Sequence, residues 1–399
     1  MNDSILIKNV LLDGRNTNIL IEGNRFARLD ADPLTPAGEV IDGSGKAILP
    51  PFYNTHTHAA MTLLRGYADD MPLDTWLKDY IWPKEDSLTP EDIYEGSVLA
   101  IKEMIKSGTV FFNDMYFATD QTIRAVADMG VRACIGTTFM DAHPLALRTE
   151  KAAAIRAWQD PTGGRIGIAA APHAVYTASE ETLRFAASLA REAGIPLHIH
   201  IAETRSEVDD CLREHGMSPV KYLDSIGFLG PDVIAAHCVH VDKDDIAILA
   251  RRGVTVSHCP CSNMKLGSGI FPYADMIEAG VKISLGTDGC SSNNNLDMRE
   301  EMKFAALLSK CQGNPGLLPA PLALQWATEA GAKAFGIDAG VIAEGKLADA
   351  ILVDLQNERF QPLHNLVSDW VYSADSSCVD TVICDGRILM KGREFCYFS

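Results

Sequence analysis

Several histidines and acidic residues of this chain stand at the ends of short apolar runs. His56 and His58 close the first such run, His200 closes a later one three residues before Glu203, and Asp288 follows another. Residues two apart on a strand point the same way, so the imidazoles of His56 and His58 can bind one ion. A lone histidine at a strand end is more often structural. The joint pattern favours a metal site with the ligands His56, His58, His200 and Asp288.

Two further residues beside this set could take part in catalysis. A metal lowers the pKa of a water that it binds to near 7, so that hydroxide becomes available for hydrolysis. Glu203 is predicted to move the protons, while His237 and Asp288 hold the nucleophile. The alternative for Glu203 is an exposed glutamate that favours the start of a helix. Of His198 and His200, we assign the ligand to His200, because Glu203 lies just beyond it, and a packing role to His198.

Eight apolar runs rich in Val, Ile and Ala alternate with helical patterns, as parallel strands with crossover helices require. Eight is the number of strands in a (β/α)₈ TIM barrel, whose carboxyl strand ends converge on one mouth. The runner-up, an open doubly wound sheet, lacks a Gly-rich dinucleotide turn after its first strand. The candidate strands are Ile48–Thr55, Thr109–Asn113, Arg132–Phe139, Arg165–Pro172, Pro196–Ala202, Val233–His237, Thr255–His258 and Lys282–Thr287.

The two ends of the chain resemble each other in composition and differ from the middle. Residues 1–50 and 346–399 contain short alternating strands with Gly or Asn breaks, and neither end has enough strands for its own core. We therefore expect an α/β protein in which a barrel over 51–345 carries a small β-sandwich built from both termini. Within the barrel, Thr89 and Gly108 are predicted to cap a helix that begins at Pro90.

Composition narrows the class of partner. A formal charge of −18 argues against nucleic acid, because phosphate binding depends on Lys and Arg, so a small molecule is expected instead. No segment approaches the roughly 20 apolar residues of a membrane span, and the first residues do not read as a signal peptide. Ten scattered Cys, including the pair Cys259 and Cys261, are typical of free thiols. We expect a soluble cytoplasmic enzyme. The sequence is also compatible with a homo-oligomer.

Several continuous stretches of the sequence are informative in addition to the single residues above. The sequence resembles the amidohydrolase superfamily over essentially its whole length, and within it the 5′-methylthioadenosine/S-adenosylhomocysteine deaminase branch. The strings that carry this resemblance are Asn54-Thr55-His56-Thr57-His58-Ala59-Ala60-Met61-Thr62-Leu63-Leu64-Arg65-Gly66, Pro83-Lys84-Glu85-Asp86, Pro172-His173-Ala174-Val175-Tyr176-Thr177, His200-Ile201-Ala202-Glu203-Thr204 and Ser257-His258-Cys259-Pro260.

The resemblance implies a metal count and a set of substrate contacts. Binuclear members carry a bridging Lys at the end of strand four, and no Lys stands there in this chain. One divalent metal is therefore expected, Zn²⁺ first, although Fe, Mn or Co suit the same ligands. Glu85 resembles the ribose-hydroxyl acceptor and His173 a nucleoside contact, with Trp76, Arg148 and Glu203 also at the substrate. A surface charge for Glu85, packing for Trp76 and a surface ion pair for Arg148 are the alternatives.

The predicted reaction is hydrolytic deamination of an adenine nucleoside to the inosine analogue and ammonia. Hydroxide attacks C6 while Glu203 transfers a proton to N1. Thr137 aligns where the family commonly has an Arg for the homocysteine carboxylate, which favours 5′-methylthioadenosine or adenosine over S-adenosylhomocysteine. The alternatives are an amidohydrolase acting on guanine, a pterin or a triazine, and a catalytically silent scaffold, which would have lost ligands that this chain retains.

Overall fold

Eight parallel strands form the centre of the molecule, in a computed structural model that describes residues 4–396. They hydrogen-bond side by side in chain order, and the sheet curls until the last strand approaches the first. Numbered one to eight, the barrel strands are Phe52–Thr57, Thr109–Tyr116, Arg132–Phe139, Ile166–Pro172, Leu197–Ile201, Val233–His237, Thr255–His258 and Lys282–Leu285. The predicted (β/α)₈ barrel is confirmed.

Side-chain and backbone contacts hold strand eight against strand one. The Thr55 hydroxyl donates to the Leu285 carbonyl at 2.9 Å, and the Asp288 amide donates to the His56 carbonyl at 3.0 Å. Every residue of strands one and two is buried, as expected for parallel strands covered on both faces. Residues at all eight carboxyl ends therefore surround one mouth.

Helices cover the barrel. The one predicted from Thr89 to Gly108 spans Pro90–Ser107; Thr89 forms a capping box with Asp92, and Gly108 ends the helix with a φ of 93°. Among residues 4–396, no helix combines the length and the apolar character needed to cross a membrane. The α-helices are Leu73–Thr75, Trp82–Glu85, Pro90–Ser107, Thr119–Met129, Leu145–Arg156, Glu180–Ala193, Arg205–His215, Pro219–Ser225, Lys243–Arg252, Pro260–Lys265, Tyr273–Glu278, Cys290–Asn293, Met298–Lys310, Ala320–Ala327, Glu329–Ala334 and Leu366–Tyr372; 3₁₀ helices span Ala59–Leu64, Glu358–Phe360 and Ser376–Cys378, and a π-helix spans Trp76–Ile81.

The two chain ends build one mixed sheet of nine strands with its own small buried core. Its amino-terminal and carboxyl-terminal halves meet where Lys46–Leu49 pairs antiparallel with Ala350–Asp354. The strands are Ser4–Leu12, Arg15–Glu22, Arg25–Arg28, Glu39–Asp42, Lys46–Leu49, Ala350–Asp354, Val379–Cys384, Arg387–Lys391 and Glu394–Phe395.

The candidate strand Ile48–Thr55 spans the junction between this sheet and the barrel. In the structure it is two strands: Lys46–Leu49 belongs to the terminal sheet, and Phe52–Thr57 begins the barrel. Pro50 and Pro51 separate them. Proline has no amide N–H to donate to a strand partner, so adjacent prolines end one strand before the next begins.

A buried group of charged and polar side chains joins the barrel to the terminal sheet. Asp349 accepts hydrogen bonds from Tyr53 at 2.7 Å and from Arg132 Nε at 2.9 Å, and Arg132 Nη2 also donates to Asp385 at 2.6 Å. Tyr53 and Arg132 lie near the amino ends of strands one and three, opposite the mouth. We call Tyr53, Arg132, Asp349 and Asp385 the base cluster.

Candidate active site

The four predicted ligands lie together at the mouth, and His237 joins them. One ligand atom from each of His56, His200 and His237 lies within 4.8 Å of the others, and the same holds for His56, His58 and Asp288. His56 Nε2 and His58 Nε2 lie 3.4 and 3.2 Å from Asp288 Oδ1. We call these five residues the mouth cluster. They come from strands one, five and six and from the loop after strand eight.

The donor set fits a divalent metal ion. The Nε2 atoms of His56 and His237 are buried and have no hydrogen-bond partner among the described residues. Burial lowers the pKa of His56 to about 4, and it lowers the pKa of His200 well below its usual value. Both imidazoles are therefore neutral near pH 7, which is the form that binds metal.

Contacts behind three of the histidines orient the ring atoms that face the cluster centre. His58 Nδ1 lies 2.6 Å from the Met115 carbonyl, and His200 Nδ1 lies 2.7 Å from the His173 carbonyl. A carbonyl can only accept, so each Nδ1 carries a proton, and in the neutral ring Nε2 holds the lone pair. Burial lowers the pKa of His58, but the hydrogen bond with Asp288 and the charge of that carboxylate together outweigh it and raise the pKa to about 9, so metal binding would displace a proton from His58 Nε2. His237 Nδ1 lies 2.9 Å from the Asn263 side-chain oxygen, which orients its ring in the same way.

The backbone is strained at three of these strand ends. Ala202 after strand five, His237 at the end of strand six and Asp288 after strand eight have φ values of 51°, 70° and 60°. Residues other than Gly rarely adopt this left-handed region, and such strain is concentrated at functional sites. These turns direct the residues of the mouth cluster inward instead of along the strands.

His198 contacts one residue of the mouth cluster, His56, in addition to packing in the barrel. Its Nε2 lies 2.8 Å from His56 Nδ1, and its Nδ1 lies 3.0 Å from the amide nitrogen of Asn113. His198 and His200 both point into the barrel, as residues two apart on a strand must, and they differ in depth. From sequence, we assign the ligand to His200 because Glu203 lies just beyond it, and a packing role to His198, which does not include its contact with His56.

Two serines that sequence reasoning missed hold Asp288. Its Oδ2 accepts from Ser262 at 2.6 Å and from Ser292 at 2.9 Å, which leaves Oδ1 toward His56 and His58. Ser262 lies on a helix after strand seven and Ser292 on a helix after strand eight. Nothing local in the sequence marks either serine.

Glu203 lies beside the mouth cluster in the same cavity. Its Oε2 is 3.6 Å from His237 Nε2, and only 5% of the residue is exposed. Burial raises the pKa of its carboxyl group, while nearby His237 opposes that change. A general acid or base works best when its pKa lies near the operating pH, and burial moves the pKa of Glu203 in that direction.

Glu85 occupies the boundary between this inner cavity and an outer one. It lines both cavities, and the outer cavity has a volume of about 860 Å³. Its Oε1 is buried without a hydrogen-bond partner among the described residues, and burial raises the pKa of the carboxyl group to about 7. A buried carboxylate oxygen without a partner is costly, so a ligand hydroxyl at this position would be well received.

Two more predicted substrate residues line the inner cavity. His173 accepts the His200 contact through its backbone, and its ring Nδ1 lies 3.0 Å from the Thr177 hydroxyl. Trp76 is 4% exposed and donates from its indole N–H to the Ala68 carbonyl at 3.1 Å. The indole of Trp76 therefore packs in the fold and also forms part of the cavity wall.

Arg148 and Thr137 are not brought to the cavity walls. Arg148 forms an ion pair with Glu181 at 2.8 Å and donates to Thr182 at 3.3 Å, which is the surface alternative considered for it. The cavity wall contains Thr138 in place of its neighbour Thr137. Glu181 lies far along the chain on another helix, so this pairing could not be read from the sequence.

The cysteines agree with the expectation of free thiols. All ten are unpaired, and Cys259 is buried with its thiol directed to the Ser257 carbonyl. Neither Cys259 nor Cys261 belongs to the two candidate metal groups found in the described chain.

Comparisons with known proteins agree with this geometry. The amidohydrolase family model matches residues 47–389. The chain is 48% identical to a 5′-deoxyadenosine deaminase of Methanothermobacter thermautotrophicus, over 98% of this chain and 94% of that protein. It is also 48% identical to a 5-methylthioadenosine/S-adenosylhomocysteine deaminase of Archaeoglobus fulgidus, over 99% and 93% of the two chains.

Solved structures of other proteins share the fold of this chain. A zinc-bound adenosine deaminase from Xanthomonas campestris superposes with a TM-score of 0.92 at 33% identity, covering 99% of this chain and 94% of that one. An atrazine chlorohydrolase from Arthrobacter aurescens has a TM-score of 0.91 at 23% identity over 99% and 97% of the two chains, a likeness that establishes the fold alone. On the match to the family model and the identity to these relatives, the chain belongs to the amidohydrolase family.

Proposed function

We propose that this chain hydrolytically deaminates adenine nucleosides, with 5′-methylthioadenosine and adenosine as preferred substrates and S-adenosylhomocysteine as a weaker one. One observation carries the proposal: Glu203 lies next to the buried mouth cluster and lines the same cavity as Glu85. The Glu85 Oε1 atom in that cavity has no hydrogen-bond partner among the described residues. Relatives at 48% identity with deaminase names support the same reaction class.

One Zn²⁺ per chain is the metal we propose, held by His56, His58, His200 and Asp288. The end of strand four, where a second metal would need a bridging Lys, continues into His173. When bound, the metal lowers the pKa of a water molecule and so supplies the nucleophile. His237 and Asp288 orient that water, for which the free Nε2 of His237 is suited.

Proton transfer is the task of Glu203. It accepts the proton of the attacking water and delivers it to N1 of the adenine ring, so that the ring accepts an electron pair as oxygen bonds to C6. The proton of the hydroxyl group now on C6 then passes to the amino group, the bond from C6 to that nitrogen breaks, and ammonia leaves as the C6 carbonyl forms. The burial that raises the pKa of Glu203 suits this exchange.

The ribose is assigned to Glu85 and the nucleoside contact to His173. With the base at the mouth cluster and the sugar at Glu85, the 5′ substituent extends into the outer cavity. The walls of that cavity include Asp86, Glu180 and Glu214 and, among the described residues, no Lys or Arg. Its charge disfavours a carboxylate tail, and the ion pair of Arg148 with Glu181 leaves that guanidinium engaged elsewhere.

A substrate panel tests the proposal. Ammonia release should be measured from adenine, adenosine, 5′-methylthioadenosine, S-adenosylhomocysteine, guanine and an aminotriazine. Sites built around a substrate hydroxyl can reject the analogue that lacks it by about 10⁴-fold, so kcat/KM for adenosine should greatly exceed that for adenine. Activity confined to the free bases or the triazine would overturn the nucleoside assignment.

A substitution links the preference to the residue. Glu85→Ala should reduce the ratio of kcat/KM for adenosine over adenine, because the ribose loses its acceptor. The exposed Glu91→Ala serves as a control, since Glu91 forms a surface ion pair with Arg124. An unchanged ratio in Glu85→Ala would remove Glu85 from the ribose site.

A further inference from the structure

A second buried glutamate lies behind Glu203. Glu207 is 5% exposed and belongs to the helix Arg205–His215. Its Oε1 accepts from the Ala202 amide and its Oε2 from the Glu203 amide, both at 2.8 Å. Both oxygens of one carboxylate therefore bind the two residues that form the turn after strand five.

This arrangement departs from an ordinary helix cap. Thr204 is the N-cap, and its side chain accepts from the Glu207 amide at 3.3 Å, as in a capping box. In a complete capping box the glutamate at this position returns to the amide of the N-cap residue itself. Here the carboxylate reaches past Thr204 to the two preceding amides.

The turn that Glu207 holds is one that would not persist alone. Ala202 has a φ of 51°, in the left-handed region that residues other than Gly rarely adopt because their Cβ approaches the following carbonyl oxygen. On the other side of the turn, the Ala202 carbonyl accepts from the amides of Val239 and His240 at 3.0 and 2.9 Å. The turn is thus held between the Glu207 carboxylate and the loop that follows His237.

We infer that Glu207 is a positioning residue for proton transfer by Glu203, an inference that rests on the proposed function. Glu207 lines a neighbouring cavity and not the inner one, and both of its oxygens accept from backbone amides, so it acts through the backbone. By fixing the Glu203 amide, it fixes the origin of the Glu203 side chain, whose Oε2 stands 3.6 Å from His237 Nε2. A displacement of about 1 Å at such a position can cost about 10²-fold in rate.

The first test is Glu207→Gln. A Gln side chain has one acceptor oxygen, so one of the two amides would face an NH₂ donor. We expect kcat on adenosine to fall about 100-fold with metal content unchanged and KM within about twofold, the split that marks an interaction needed in the transition state. Glu207→Asp keeps the charge but is one methylene shorter, so we expect a smaller loss of kcat than in Glu207→Gln. The Asp variant replaces the Gln variant in this test if the Gln variant does not fold.

The matched control is Asp245→Asn. Asp245 is also a buried carboxylate at the third position of a helix, where it completes a capping box with Asp242. Its loss should lower stability as a lost cap does, by about 1 kcal/mol or a several-fold change in the folding equilibrium constant, and leave kcat near the wild-type value. An equal kcat loss in Asp245→Asn would mean that capping alone explains the effect, and the inference would fall.

A double substitution distinguishes positioning from general damage. In a Glu203→Gln background the proton-transfer group is gone, so adding Glu207→Gln should cost less than about threefold more. Equal factors in both backgrounds, or a Glu207→Gln enzyme with wild-type kcat, would overturn the inference. If wild-type enzyme deaminates nucleosides and Glu203→Gln lowers kcat while Glu207→Gln leaves kcat at the wild-type value, this inference fails alone; if wild-type enzyme deaminates none, the proposed function fails.

Discussion

Two buried polar clusters lie at opposite ends of the barrel strands, and they differ in how fully they are hydrogen-bonded. In the base cluster, Asp349 accepts from Tyr53, Arg132 and the Asp385 amide, and none of its side chains has an unpartnered buried atom among the described residues. In the mouth cluster, His56 and His237 each present a buried nitrogen without a partner.

This difference in hydrogen bonding indicates that the base cluster stabilises the fold and that the mouth cluster serves function. A buried polar atom without a partner costs about 1–3 kcal/mol, so a protein retains it only where something else requires it. The base cluster joins the barrel to the terminal sheet and needs no ligand to be complete. The mouth cluster has two buried ring nitrogens without a hydrogen-bond partner among the described residues, and these suit a bound ligand. We expect substitutions at the base to change the free energy of unfolding and those at the mouth to change metal binding and rate.

The largest expected effect is that of His200→Ala. Removing one of three predicted nitrogen ligands should abolish both metal content and ammonia release, because the remaining ligands do not complete the site. Metal analysis and activity measure this, with the exposed His364→Ala as control. A variant that keeps stoichiometric metal and activity would remove His200 from the ligand set.

Glu203→Gln should separate catalysis from metal binding. The amide cannot carry the proton, so kcat should fall by about 10²- to 10⁴-fold, the usual contribution of a general acid or base, while metal content stays at the wild-type level. Single-turnover ammonia release measures the loss. A near-normal rate would exclude Glu203 as the proton-transfer group.

The opposite behaviour is expected at the base. Arg132→Met leaves the buried Asp349 and the half-buried Asp385 without their cation, which should lower the free energy of unfolding by about 3–5 kcal/mol. Denaturant titration measures it, and kcat at low temperature should stay near wild type. Arg156→Met breaks an exposed ion pair with Glu192 and should cost less than about 1 kcal/mol. Equal losses in the two variants would contradict the role of the base cluster.

His198→Phe tests whether the contact behind a ligand matters. Phe fills the space but cannot hydrogen-bond to His56 Nδ1, so metal affinity should fall about 10- to 100-fold, as is usual for such contacts. Competition with a chelator measures the change. If affinity is unchanged, His198 only packs, as the sequence argument proposed.

The smallest effect concerns pH. Burial raises the pKa of Glu85 to about 7, so its carboxyl group is largely protonated at pH 6 and ionised at pH 8. The ionised form accepts both ribose hydroxyls, so KM for adenosine should fall as pH rises through about 7, by at most about 10-fold per unit. Glu85→Gln should flatten this dependence. A KM that rises with pH in the wild type would contradict the assignment.

The barrel and the grouping of four candidate ligands at its mouth could be predicted from the sequence. Strand ends are local features, and parallel topology brings every carboxyl end to one side. His56, His58, His200 and Asp288 could therefore be grouped without coordinates. The same local reasoning predicted the helix between Thr89 and Gly108 with its caps.

The depth of a side chain in the barrel and its contacts with distant parts of the chain depend on the tertiary structure. Alternation along a strand gives the direction of a side chain but not its layer, so His198 could not be placed behind His56. Ser292 on Asp288, Glu181 on Arg148 and the Glu207 contact with its turn depend on how separate loops and helices fold over the mouth. Sequence spacing records neighbours along the chain, whereas these contacts join atoms whose approach is set by packing of the whole barrel.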